Sequence, residues 1–157
     1  MGDDGSSARV FVSCGPQKSQ EEIDIARNIA EKVRGKGFEP HIGVEDSTLK
    51  GLRENTLRRL AESEYLILVH FRNERIYKPS EAETLLDTGK HRGTILSHVV
   101  FAASASRNMD FLVFEEQNIK EEERISRLVE VDSVEFADRS RLPYLAVSYT
   151  HLRAHET

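Results

Sequence analysis

The sequence has little cysteine, no long apolar run and no surplus of positive charge, and each shortage removes a class of protein. Cys14 is the single cysteine among 157 residues, which excludes an internal disulfide and any cysteine-rich metal site. No apolar stretch approaches the roughly 20 residues that a bilayer-crossing helix needs. The first residues, Met1-Gly2-Asp3-Asp4, are polar and acidic, without the cationic start and apolar centre of a secretory signal. Acids outnumber bases 27 to 22, for a formal charge of −5. That balance argues against a nucleic-acid-binding face, which requires clustered positive charge. Neither a GxGxxG nor a GxxxxGK(S/T) loop is present, so no dedicated dinucleotide or triphosphate cradle is encoded. Internal repeats are absent too. The reading is a cytoplasmic protein that binds neither nucleic acid nor membrane and holds no metal.

What is there suits one α/β domain. Hydrophobic residues make up 38% of the chain and charged residues 31%, enough apolar material for one core. Arg9–Ser13 is a β-branched and aromatic run and predicts a strand. Ser19 with Glu22 three residues on predicts a capped helix start. Ile23, Ala26, Ile29, Ala30 and Val33 then recur at helical spacing, and Gly35 and Gly37 end the helix. Phe38–Ile42 predicts a second strand, placed at an edge by Pro40, which has no N–H for the ladder. A helix bearing Leu49, Leu52, Leu57 and Leu60 follows, with Arg53, Arg58 and Arg59 on its solvated face. Tyr65–Phe71 is the most apolar strand and predicts a sheet centre covered on both faces.

Arg72–Arg92 is long, charged and poorly periodic, and Ser80–Leu86 is the part of it that suggests a helical turn. Thr94–Ser106 predicts a buried helix, with a strand the alternative that its β-branched content leaves open, Asp110–Phe114 a core strand, Glu121–Val129 a helix and Ser133–Phe136 the last strand. Strict strand–helix alternation implies a parallel sheet with right-handed crossovers. The expected fold is a flavodoxin-like three-layer α/β/α sandwich with five parallel strands and a last helix missing or incomplete. Residues 1–8 read as a flexible N-terminus and 9–145 as the domain. Residues 146–157 read as a non-native-looking tail resembling a translated sequencing adapter, so its His151/His155 pair is not taken as a metal site.

In open parallel sheets, ligands bind at the carboxyl ends of the strands, where the strand order reverses. The candidate binding residues are therefore those of the loops that follow the strands. They are Ser13, Cys14 and Gly15 after the first, Gly43 and Ser47 after the second, and His70 and Phe71 after the third, with Arg92 closing the long insertion. Each has a plain structural reading beside the functional one. Cys14 suits a small buried thiol, His70 a satisfied core histidine and Phe71 a core ring. The chain lacks the acidic pair after the first strand that a phospho-acceptor receiver requires. Ser13 and Ser19 are too sparse for the hydroxyl-rich phosphate loop of a flavodoxin.

Three stretches, RVFVSCG, FEPHIGVEDSTLKGLRENTLRRLAESEYLILVHF and HRGTILSHVVFAAS, together resemble the bacterial TIR-like (Toll/interleukin-1 receptor-like) family, over about Arg9 to Phe136. The resemblance implies a nucleotide pocket used for NAD cleavage or for assembly-driven defence signalling, with NAD or a related nucleotide as ligand. It also implies self-association through TIR-like surfaces. Nucleoside deoxyribosyltransferases share the layout. Both families cleave an N-glycosidic bond with a glutamate on the helix before the fourth strand, since a carboxylate stabilises an oxocarbenium-like state. The resemblance puts the TIR-like glutamate at Val100 and the deoxyribosyltransferase one near Ser97, yet Thr94 to Met109 contains no Asp or Glu. Losing such a group costs on the order of 10³-fold in rate. The sequence therefore predicts no catalytic residue in the usual place and no required cofactor. Its expected role is a nucleotide-binding or protein-interaction module without efficient NAD cleavage. The alternative is an NAD glycohydrolase or deoxyribosyltransferase-like enzyme that draws on Glu45, Glu64 or Glu74.

Overall fold

The computed structural model describes residues 8–15, 19–43, 49–107, 109–128, 133–146 and 148. Five strands form one parallel sheet: β1 (Arg9–Ser13), β2 (Glu39–Ile42), β3 (Tyr65–His70), β6 (Asp110–Glu116) and β7 (Ser133–Phe136), in the order β2-β1-β3-β6-β7. This is the flavodoxin-like arrangement that the alternation predicts. β2 lies at an edge, and Pro40 stands opposite Val10 in the ladder. β3 is central, and Leu66 to His70 are all buried.

Strand periodicity divides the core in two. One cluster joins Val10, Val12, Ile67 and Val69 to Ile25, Ala26, Ile29 and Val33 of helix α1 (Gln20–Gly35). The other joins Phe11, Leu66, Leu68 and Val113 to Leu60, Val100, Phe101 and Ile125. Alternate side chains of each strand thus serve opposite faces, which is why no sheet face is left polar. The second face is covered by helix α3 (Arg58–Ala61), helix α4 (Ile95–Ser106) and the short helix α5 (Ile125–Leu128). α3 continues from α2 (Leu49–Gly51) through a π-helical segment, Leu52–Leu57. Arg53, Arg58 and Arg59 are exposed, as expected of a solvated face.

The Ser19 hydroxyl caps α1 by accepting from the Glu22 N–H at 3.2 Å. At the other end of the chain, residues 142–146 are helical, and Leu142 and Ala146 are fully buried against the α1 face. Ala146, assigned from the sequence to the tail, is therefore part of the core. His151 and His155 lie outside the described residues. No described helix is long and apolar enough to cross a membrane.

The insertion departs from its expectation. Residues of 72–92 form an antiparallel hairpin, β4 (Arg75–Pro79) with β5 (Leu85–His91), and no helix forms over Ser80–Leu86. Ser80 begins a turn instead: its N–H donates to the Thr84 carbonyl, and Glu83 takes a left-handed φ of 60°. The hairpin is tied to the sheet at its base, where the His91 N–H donates to Asn118 O and the Lys120 N–H to His91 O, both at 2.7 Å. The stretch 121–129 differs as well. It breaks into a 3-10 turn (Glu121–Glu123) and α5, because Arg124 is extended between them.

Candidate functional site

The strand order reverses between β1 and β3. The chain leaves β1 toward β2 on one side and returns through β3 on the other. The crevice above their carboxyl ends is bounded by the loop after β1 and the start of α4. Gly15 leaves β1 with a φ of +68°, a left-handed conformation that favours glycine. A Cβ at that position would meet Thr94 Cγ2 at 3.4 Å, Ser97 Oγ at 3.7 Å and Thr94 Oγ1 at 3.8 Å. Two hydroxyls from the first turn of α4 therefore face the loop leaving β1.

The ends of β3 and β6 hold a buried polar network. The Thr94 N–H donates to His70 Nε2 at 2.9 Å, so Nδ1 carries the ring proton and donates to Glu115 Oε2, also at 2.9 Å. His70 is thus a neutral imidazole with both nitrogens engaged. Glu115 further accepts from the Ile125 and Ser126 N–H groups. Burial pushes its carboxyl pKa upward, but the hydrogen bonds from His70 and the two amides outweigh this and hold it at about 2. Gly93 is packed so tightly here that a Cβ would fall 2.7 Å from His70 Nε2.

A second network surrounds Glu116. Arg139 donates to both its oxygens at 2.8 Å, and the Arg72 N–H donates to Oε1 at 2.9 Å. Arg139 also donates to Glu21 and Glu22 at the start of α1 and lies over the Phe71 ring, 4.5 Å from its centroid. Its pKa is raised first by the Glu116 hydrogen bonds. This cluster ties β6, the loop after β3, α1 and the segment after β7 together.

An open cavity of about 290 Å³ lies beside the start of α4, lined by Arg92, Gly93, Thr94, His98, Glu122 and Glu123. Glu123 Oε1 accepts from the Gly93 N–H at 3.0 Å, and Oε2 lies 3.8 Å from Arg92 Nε. His98 Nε2 donates to the Glu123 carbonyl at 2.7 Å.

The predicted binding residues separate into two groups. Gly15 faces Thr94 and Ser97 at the start of α4 and Arg92 lines the cavity beside it, whereas Ser13 and Cys14 are buried. Cys14 is a buried thiol whose pKa is pushed up to about 12, first by burial and then by Glu22, which keeps it protonated at neutral pH. His70 is fully buried, and Phe71 packs edge-on against Phe136 at 6.1 Å; both have their core reading here rather than a ligand-facing one. Gly43 continues the β1–β2 ladder through its N–H to Val12 O at 2.8 Å and sits against the Phe11 ring, away from the crevice. Ser47 and Glu45 lie outside the described residues. Glu64 accepts from the Arg9 N–H at the amino ends of the strands, the wrong end of the sheet for a ligand acid. Glu74 is exposed beside the hairpin base, where its carbonyl accepts from the Arg92 N–H.

Of the two helix positions that the resemblance marks for a glutamate, Val100 is buried in the apolar cluster and Ser97 faces Gly15. The sequence reading missed Thr94, Ser97 and Glu123 as site residues. For Thr94 the signal was present in its position at a helix start. Glu123 comes from the connection after β6, and no local pattern announces it. Among the described residues, no group of three or more metal-ligating side chains occurs.

No family model matches the chain, and no curated protein matches it. Among solved structures the chain is similar to a flavo di-iron protein mutant from Thermotoga maritima, with a TM-score of 0.55 and 12% identity over 96% of this chain. The likeness spans 37% of that protein's length. At this identity it shows the flavodoxin-like fold and nothing of the chemistry.

Proposed function

We propose that the chain is a TIR-like module of bacterial defence signalling that binds a nucleotide, or a protein partner, without efficient NAD cleavage, and that it works in the cytoplasm. The single observation that carries this reading is the character of α4. The start of that helix sets the Thr94 and Ser97 hydroxyls against Gly15 at the end of β1, and the helix sequence holds no acid. Such a crevice can hold a polar ligand. It offers no helix carboxylate to stabilise a ribosyl cation, so the barrier to glycosidic cleavage stays high. NAD or a related nucleotide is the proposed ligand, and no resident cofactor is required. The flavo di-iron likeness makes flavin mononucleotide a necessary member of any ligand screen. Against flavin, the Ser19 hydroxyl is committed to capping α1.

The test is nicotinamide release from NAD, run beside a thermal-shift screen of NAD, ADP-ribose, nucleosides and flavin mononucleotide. Stabilisation by a nucleotide with no turnover is the expected result. Robust turnover would overturn the reading.

One observation favours the alternative of an active glycohydrolase or deoxyribosyltransferase-like enzyme. The Glu123 carboxylate arrives at the start of α4 from outside that helix, at the mouth of the 290 Å³ cavity. On that reading Glu123→Gln abolishes turnover, whereas Glu64→Gln, at the far end of the sheet, leaves it intact.

A further inference from the structure

Ser97 Oγ is fully buried and has no hydrogen-bond partner. An orphaned buried hydroxyl is unfavourable in a folded protein and calls for a partner. Its surroundings indicate the partner. α4 is a 12-residue helix whose N-cap, Thr94, makes no side-chain capping bond. The end of this helix is already partly occupied. The Gly93 N–H holds the Glu123 carboxylate, the Thr94 N–H holds His70, and the Ser97 N–H turns back to the Thr94 carbonyl at 3.2 Å. Helix geometry leaves the next two amides, Ile95 and Leu96, without an intrahelical acceptor. Thr94 Oγ1 and Ser97 Oγ lie on the same side, toward the left-handed Gly15. Thr94 also lines the open cavity beside the helix start.

We infer that this end of α4 is a phosphoryl subsite, at which Ser97 Oγ and Thr94 Oγ1 donate to the oxygens of a phosphate monoester carried by the ligand. Two neighbouring hydroxyls beside a helix N-terminus suit a tetrahedral anion, and the helix dipole favours its charge. Arg92 offsets the nearby Glu123 carboxylate. The inference rests on the nucleotide-binding reading and names the part of the ligand that the crevice recognises.

Isothermal titration of the full chain with AMP, adenosine, ribose 5-phosphate and inorganic phosphate tests it. AMP is expected to bind at least about tenfold more tightly than adenosine. Ser97→Ala and Thr94→Val are each expected to reduce AMP to the affinity of adenosine and to leave adenosine binding unchanged. Ser97→Ala removes an unsatisfied group, so the ligand-free variant should melt no lower than the parent. Equal binding of AMP and adenosine, or full AMP affinity in both variants, overturns the subsite while the nucleotide reading stands. If ribose 5-phosphate or phosphate binds through Ser97 and the adenosine moiety adds nothing, the subsite stands and the nucleotide reading fails. Absence of binding by every phosphate-bearing probe at millimolar concentration also overturns the subsite.

Discussion

At the scale of single residues, the carboxyl ends of the strands are governed by which polar groups are satisfied. Glu115 is an acid buried at the end of a core strand, tolerable because an imidazole and two backbone amides all donate to it. Its pKa is depressed in the folded chain, from an ordinary value of 4.5 to about 2. Its stabilising contribution is therefore fully present above about pH 4.5 and is lost as the pH falls toward about 2. Linkage sets that contribution at about 3 kcal/mol. Glu115→Gln turns an amide NH₂ toward groups that also donate, and is expected to cost about 3 kcal/mol at neutral pH. The variant should also show a flatter stability profile between pH 4.5 and 2. Urea melts of both proteins across that range check the sign, and an unchanged slope in the variant would contradict the assignment.

At the scale of elements, α4 decides what the crevice can do. The sequence shows that this helix has no acid, but the side that each residue faces emerges only from packing. Val100 shares the apolar cluster with Leu66, Leu68, Phe101 and Val113. Val100→Glu places an ionisable group where nothing can solvate it, and is expected to destabilise the fold by several kcal/mol without producing nicotinamide release. Chemical denaturation and the NAD assay together check this, and a stable, active variant would show that position 100 reaches the crevice. The hairpin makes the complementary case. β4 and β5 expose Tyr77, Leu85 and Leu86, so no buried face imposes a period on the sequence, and the stretch reads as irregular. Its antiparallel pairing is set by the turn after Ser80 and by the anchoring of His91 to Asn118 and Lys120. Limited proteolysis should therefore cut within the turn 81–84, where the chain is exposed.

Across the whole molecule, the polar clusters fasten elements that are far apart in sequence. Arg139 joins the segment after β7 to β6 and to the start of α1, and Leu142 and Ala146 then seal the α1 face. Leu142→Ala is expected to cost about 3 kcal/mol through lost burial and a residual cavity. For a chain of this size that lowers the melting temperature by about 10 °C. Calorimetry checks it, and a loss below 1 °C would show that the final turn adds nothing to the core.

The five strands, their parallel arrangement, the central place of β3 and the edge place of β2 are all legible in the amino-acid order. Those follow from local patterns: apolar runs, helical spacing and a proline. The same order shows that α4 carries no carboxylate. Packing in three dimensions turns His70 and Phe71 inward, leaves Glu64 at the wrong end of the sheet, brings Glu123 to the cavity beside α4 and sets Ser97 against Gly15. Those placements depend on which strand ends lie side by side and which way a helix is rotated. Contacts among residues 20 to 120 positions apart set both, and no local window of the sequence contains them.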